Sequence, residues 1–188
     1  MKPRPWTIER TEPQGDFRVF SVDALHCRRD GDAKDHVFYR INATPWVNVV
    51  SRTPQGDFVM VKQYRQGSAS VTLEIPGGMV DPGEDPATAA ARELEEETGY
   101  RPASVRKIGE VNPNPALFPN RVHTYLAEGC VKVGEVENDA SEETVVEVVP
   151  KAELYDRVRS GEVDHALVMA ALLWLQLDDD GSEAAAST

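Results

Sequence analysis

The chain has 188 residues, of which 40% are hydrophobic and 28% charged, a composition that suits one domain with a small extension and a real core. Its 32 acidic against 20 basic residues give a net charge of −12, a surface that repels nucleic-acid backbones and anionic membranes and excludes both as partners. No run of about 18 apolar residues occurs. The basic start Met1-Lys2-Pro3-Arg4 has no apolar segment behind it and is not a signal peptide, so the cytoplasm is the default location.

Residues 1–15, rich in proline and charge, read as an irregular lead-in. Phe17 to Cys27 and His36 to Ile41 have strand character around the turn signal Asp30-Gly31-Asp32, which predicts a small N-terminal β-hairpin. Trp46 to Val50, Phe58 to Tyr64 and Val71 to Ile75 read as strands. Pro76-Gly77-Gly78 breaks the pattern, and a loop follows over residues 82–86. From Ala87 to Thr98 strong helix formers place Ala87, Ala90, Ala91 and Leu94 on one buried face, with Gly99 at the position of a C-terminal helix cap. Val105 to Val111, Val122 to Ala127, Val131 to Val136 and Thr144 to Val149 are further strands. Residues 112–120 form a proline-rich loop and residues 137–143 an acidic one. Two helices, over 151–160 and 164–177, close the domain. Leu167, Met169, Ala170, Leu172, Leu173, Trp174 and Leu177 make a broad apolar stripe for core packing. The divisions are an extension over 1–42, a domain over 43–177 and a disordered acidic tail over 178–188. Strands with interspersed helices imply an α/β or α+β domain.

Two cysteines, Cys27 and Cys130, with no CxxC pair or His/Cys cluster, read as free thiols rather than a zinc site or disulfide. The chemistry concentrates in residues 78–100. Glu93, Glu96 and Glu97 lie at i, i+3 and i+4, so the three carboxylates share one helical face, while Glu95 points elsewhere. Like charges at that spacing destabilise a helix by roughly 0.2–0.5 kcal/mol per pair, and the macrodipole disfavours anions near a C-terminus. A divalent cation offsets both costs, and Mg²⁺ prefers such hard oxygens while sharing its shell with water and phosphate. A solvated acidic face is the plain alternative for these glutamates taken alone.

The flanking residues decide between the two. Gly78, Glu84, Arg92, Glu93, Glu96, Glu97 and Gly99 match the seven fixed positions of Gx₅Ex₇REUxEExGU, a coincidence expected roughly once in 10⁸ starts at ordinary residue usage. The segment resembles the signature of the Nudix hydrolase superfamily. Tyr100 departs from it, standing where an aliphatic residue is usual. The resemblance implies a mixed β-sheet sandwiched between α-helices, with Glu93, Glu96 and Glu97 as metal ligands. A backbone carbonyl at the Gly77-Gly78 entrance would add a further ligand. Mg²⁺ is the implied cofactor, with Mn²⁺ as a substitute. Arg92 would orient the glutamates and Glu84 brace the loop. Water then attacks one phosphorus of a diphosphate.

Features outside the box resemble the ADP-ribose and nucleoside diphosphate sugar pyrophosphatase subgroup. They are Pro115, sixteen residues after Gly99, the run Leu73-Glu74-Ile75-Pro76-Gly77-Gly78, and the preceding Val61-Lys62-Gln63-Tyr64-Arg65. The resemblance implies that Arg65 contacts the substrate diphosphate or base and that the N-terminal hairpin dimerises. It also implies an extra catalytic or metal-binding carboxylate in the acidic loop, Glu142 first and Glu143 second. Asn114, Asn120 and Arg121 are candidates for sugar or phosphate contacts, and Trp46 for stacking on a base. His36 and His123 read as structural. The expected function is hydrolysis of a nucleoside diphosphate sugar or ADP-ribose to a nucleoside monophosphate and a sugar phosphate, by a homodimer. A hydrolase of free nucleotides and a non-catalytic nucleotide-binding regulator are the alternatives.

Overall fold

In the computed structural model the described residues are 2–32, 34–138 and 143–186, with side chains described as far as residue 180. The elements in chain order are β1 (Thr7–Phe17), β2 (Phe20–Arg28), β3 (His36–Asn42), β4 (Trp46–Ser51), β5 (Phe58–Arg65), β6 (Ser70–Glu74), β7 (Gly77–Met79), α1 (Pro86–Thr98), β8 (Tyr100–Arg101), β9 (Ser104–Val111), β10 (Val122–Glu128), β11 (Val131–Lys132), β12 (Thr144–Val149), α2 (Leu154–Arg159) and α3 (Ala166–Ala186). They fall into two compact units, residues 1–44 with 112–121, and residues 45–111 with 122–188.

The first unit is an antiparallel sheet of order β1-β2-β3. The expected hairpin is present as β2 and β3, but residues 7–17 are not an irregular lead-in: they form an eleven-residue strand on β2. The prolines and charges that argued against a strand are tolerated because β1 is an edge, and Pro13 stands where the register shifts, a place that needs no amide donor. Residues 112–121 belong to this unit, with Ile41 N–H donating to Leu117 O at 2.9 Å. Trp6 packs edge-on to His36 and Phe38, with centroids 5.0 and 5.2 Å away, and Arg29 stacks on its indole.

The second unit is built on two sheets. One has the order β7-β4-β10-β9, with β4 and β10 parallel and the other pairs antiparallel; the other is the antiparallel β12-β5-β6. Alternation along β4 explains the layers. Val47 and Val49 face a core shared with Ala89, Ala90 and Leu94 of α1. Val50, on the opposite face, joins Val168, Ala171, Leu172 and Leu175 of α3. The sheets therefore lie between helices, the mixed α+β arrangement expected.

Local chemistry sets the helix limits. Asp85 Oδ2 accepts from the Ala87 and Thr88 amides at 3.0 and 3.3 Å, Pro86 occupies the first turn, and Gly99 ends α1 at φ 70°. A methyl at Gly99 would stand 2.2 Å from Gly134 O as well as forcing a left-handed residue. Gly99→Ala should therefore lower stability by about 1–3 kcal/mol in chemical denaturation; an unchanged midpoint would show that residues 133–135 yield freely.

Three expectations are corrected. Val131 to Val136 pairs over only two residues, because Val133 and Gly134 turn to donate to Gly99 O. Of the expected stripe on α3, Leu172 is core and Trp174 lies against Gly109, but Met169, Leu173 and Leu177 are exposed. Their spacing of four places them on the face turned away from the sheets. The backbone of α3 also continues past Leu177 where a disordered tail was expected. There Asp178 is paired with Arg106 and Asp179 with Arg52.

Candidate active site

α1 and β7 bring the box together. Arg92 is its hub. Its Nε and Nη2 donate to Glu84 Oε1 and Oε2, each at 3.0 Å, in a bidentate pair. Its Nη1 donates to Glu93 Oε1 and Glu96 Oε2, each at 2.9 Å, and Nη2 reaches Met79 O at 3.2 Å. Glu84 closes its own loop by accepting from Asp81 N–H at 3.1 Å. The guanidinium holds Glu84 below the usual carboxylate range, and the carboxylates raise Arg92 in turn.

A pH dependence follows. Because the folded pKa of Glu84 lies below its ordinary value of 4.5, the stabilisation is complete above that value and is lost as pH falls through the lower folded one. Glu84→Gln should flatten the acid limb of a melting-temperature profile between neutral pH and about 3. An acid limb of the same slope in the variant would locate the acid sensitivity elsewhere.

The glycines work by absence of a side chain. The Glu93 carboxylate lies against Gly78, where a built Cβ would stand 2.5 Å from Glu93 Cδ. A Cβ at Gly77 would stand 2.3 Å from Val47 O. Gly77 N–H donates to Glu97 Oε2 at 2.9 Å. Glu97 is 6% exposed, so the shared face of three glutamates is two-part: Glu93 and Glu96 are bonded to Arg92, and Glu97 is turned into the protein. Glu95 points elsewhere, as expected, and pairs with Arg101. Gly78→Ala should displace the Glu93 carboxylate, lowering kcat/KM about 10–100-fold with a small change in melting temperature; wild-type kinetics would show that Glu93 does not need this position.

The acidic loop is tied to the same helix end. Glu137 N–H donates to Glu96 O at 2.8 Å, and Thr144 Oγ1 donates to Glu97 O at 3.0 Å. Glu142 lies outside the described residues, while Glu143 is exposed beside Thr144.

The other candidates divide. Arg65 donates to both oxygens of buried Glu74, each at 2.8 Å, on the β5–β6 pair. Burial raises the Glu74 pKa, but the hydrogen bonds from Arg65 and Thr72 outweigh it and keep the group ionised. Trp46 starts β4, half-buried, between Met79 and Val122 in the register. Asn114 and Pro115 are exposed, and Asn114 Oδ1 accepts from Ala116 N–H at 3.2 Å, ordinary loop capping. Arg121 is exposed. Asn120 is buried, and its amide donates to Thr44 O at 2.8 Å while Asn112 clasps Phe118 O and Asn120 O. In the structure Asn120 closes the base of the loop. His123 sits against Glu110, 2.9 Å away, in keeping with a structural role. Both cysteines are free and buried, and burial pushes the Cys130 thiol up to about 11.

The carboxylates fit a divalent cation in kind: three hard-oxygen donors within two turns, with Glu96 half exposed. In the arrangement held by Arg92, no three Asp, Glu, His or Cys side chains among the described residues converge on one ion. Glu74, Gln63 and Thr144 were not singled out by sequence reasoning. The signal was the period-2 alternation that puts Gln63 and Arg65 on one face of β5.

Comparison with known proteins agrees with this geometry. The NUDIX domain model matches residues 43–172, and the chain belongs to that family. The ADP-ribose pyrophosphatase of Bacillus subtilis is 37% identical over 71% of this chain and 72% of its own length. The ADP-ribose pyrophosphatase of Mycobacterium tuberculosis is 33% identical over 84% of this chain and 82% of its own. A crystal structure of an ADP compounds hydrolase superposes with a TM-score of 0.84, covering 97% of this chain and 98% of that one at 22% identity, which establishes the fold. Among the described residues, no helix is long and apolar enough to cross a membrane.

Proposed function

We propose that the protein hydrolyses the diphosphate linkage of ADP-ribose or a related nucleoside diphosphate sugar, giving a nucleoside monophosphate and a sugar phosphate. The observation that carries this reading is the Arg92–Glu84 brace, which holds Glu93 beside Gly78 and Glu96 next to it on the helix, while Gly77 holds Glu97. The names of the two relatives above point to the same substrate class.

Glu93, Glu96 and Glu97, with the Gly77 carbonyl, would hold the divalent cation, Mg²⁺ first and Mn²⁺ as a substitute. Bound there, the cation supplies a more acidic water and charge neutralisation on the phosphate oxygens. Arg92 keeps the carboxylates apart and aimed. Arg65, fixed by Glu74, offers a guanidinium to a phosphate. Glu142 is our first choice for the group that takes the proton from the attacking water, with Glu143 second. The support is that Glu137, at the start of the acidic loop, and Thr144, the first residue of β12 after it, hydrogen-bond to the carbonyls of Glu96 and Glu97. Trp46, Asn114, Pro115 and Arg121 remain our candidates around the substrate, and Asn120 as the clasp beneath that loop.

We also read the protein as a cytoplasmic homodimer joined through residues 1–42. The support is the free, buried thiols and the exposed Ile8, Phe17, Val37, Phe38 and Tyr39 on the three-stranded sheet. Light scattering should give twice the chain mass; a monomer would remove the dimer.

Incubation with Mg²⁺ and a panel of ADP-ribose, ADP-glucose, GDP-mannose, UDP-glucose and dGTP, with chromatography of the products, tests the function. Monophosphate and sugar phosphate from one of the sugars supports it, and preferential loss of pyrophosphate from dGTP would replace it.

A further inference from the structure

The last four carbonyls of an α-helix have no partner within it and take their donors from outside. At the end of α1 two of those carbonyls belong to the glutamate box. Glu95 O accepts from Gly99 N–H at 2.7 Å, and Glu96 O from Glu137 N–H at 2.8 Å. Glu97 O accepts from a side chain, the Thr144 hydroxyl, at 3.0 Å. Thr144 is the first residue of β12 and only 7% exposed, and Asn138 Oδ1 lies 2.9 Å from the same hydroxyl oxygen.

Glu97 is thereby gripped at both ends. Its carboxylate takes the Gly77 N–H of β7, and its carbonyl the Thr144 hydroxyl of β12. β7 and β12 belong to different sheets, so this one residue ties the end of α1 to both sheets of the second unit. The position calls for such a hold. Glu97 is the last residue but one of α1, where helices fray. It also sets a third carboxylate close to the negative end of the helix dipole, an unfavourable place that donors on the carbonyls ease. Mg²⁺ demands near-ideal octahedral geometry and tolerates little displacement of a ligand. A valine would suit the start of a β-strand and fill the same space; the hydroxyl is what reaches α1.

We infer that Thr144 is a positioning residue for metal binding: its hydroxyl, acting through the Glu97 backbone, holds the Glu97 carboxylate where it can take the cation. In its kinetic part the inference rests on the diphosphate hydrolase reading above. Its binding part does not depend on which nucleotide is cleaved.

The experiment is calorimetric titration of Mg²⁺ into full-length wild type, Thr144→Val and Thr144→Ser without nucleotide. Beside it stand the melting temperature of each without metal and steady-state hydrolysis of ADP-ribose at saturating Mg²⁺. Thr144→Val, which keeps the shape and loses the hydroxyl, should weaken Mg²⁺ binding about tenfold, the scale of losing a partner behind a metal ligand. Its kcat should fall to a similar extent with KM for ADP-ribose unchanged. Thr144→Ser, which keeps the donor, should restore both to within about twofold of the wild type. A lower melting temperature in Thr144→Val with wild-type Mg²⁺ affinity and kcat overturns the inference and leaves Thr144 an ordinary helix cap. A Thr144→Ser as impaired as Thr144→Val also overturns it, because the hydroxyl is then not the agent. Should Thr144→Val not fold, Asn138→Ala decides in its place: weaker Mg²⁺ binding supports the inference and unchanged affinity overturns it. A wild type that binds Mg²⁺ but cleaves no nucleoside diphosphate sugar removes the parent reading, and the calorimetry then decides on Thr144 alone.

Discussion

Arg92→Leu should lower the unfolding free energy by about 2–3 kcal/mol and reduce hydrolysis to background. The side chain makes five hydrogen bonds, three to the loop and β7 and two within the helix, and its one positive charge is shared among three carboxylates. Removing one partner of a buried ion pair costs about 3–5 kcal/mol, and the partial exposure of Arg92 reduces that. Arg92→Lys should recover less than half of the loss, because an ammonium cannot fill the bidentate seat on Glu84 while reaching Glu93 and Glu96. Mg²⁺ should raise the melting temperature of Arg92→Leu more than that of the wild type, since the ion takes over the neutralising role. Equal stabilisation by Mg²⁺ in the two proteins would mean that the metal does not bind these glutamates.

Glu97→Gln separates function from folding. The amide oxygen of the glutamine still accepts from Gly77 N–H, so a melting temperature within a few degrees of the wild type is expected. The lost charge should lower kcat/KM about 10²–10³-fold, the scale on which removal of one electrostatic contact of a transition state is felt. A large fall in melting temperature would instead assign this buried carboxylate to the fold.

The sequence made the centre of the site legible and its frame less so. Seven spaced residues sufficed for the box because their chemistry is local: a helix places Glu93, Glu96 and Glu97 by its period alone. Arg92 and Glu84 were also readable, and both sit as expected. The burial of Glu97 was not, since it depends on β7 delivering the Gly77 amide from across a sheet edge. Strand pairing is likewise non-local, which is why residues 7–17 read as irregular: their period-2 pattern is broken by prolines that only an edge position and a bulge excuse. Asn120 was read as a ligand-facing residue because loop asparagines commonly cap or bind, and only the contact with Thr44 O reveals a clasp.

On the proposed function, the carboxylates gathered by Arg92 and Gly77 drive metal-dependent cleavage of a diphosphate. The most direct measurement is the product spectrum from ADP-ribose with wild type and Glu97→Gln, each with Mg²⁺ and with a chelator. On this reading AMP and ribose 5-phosphate are expected from the wild type with Mg²⁺ only, and from the variant with Mg²⁺ at a rate about 10²–10³-fold lower. Undiminished cleavage by Glu97→Gln, or by the wild type under chelation, would contradict it.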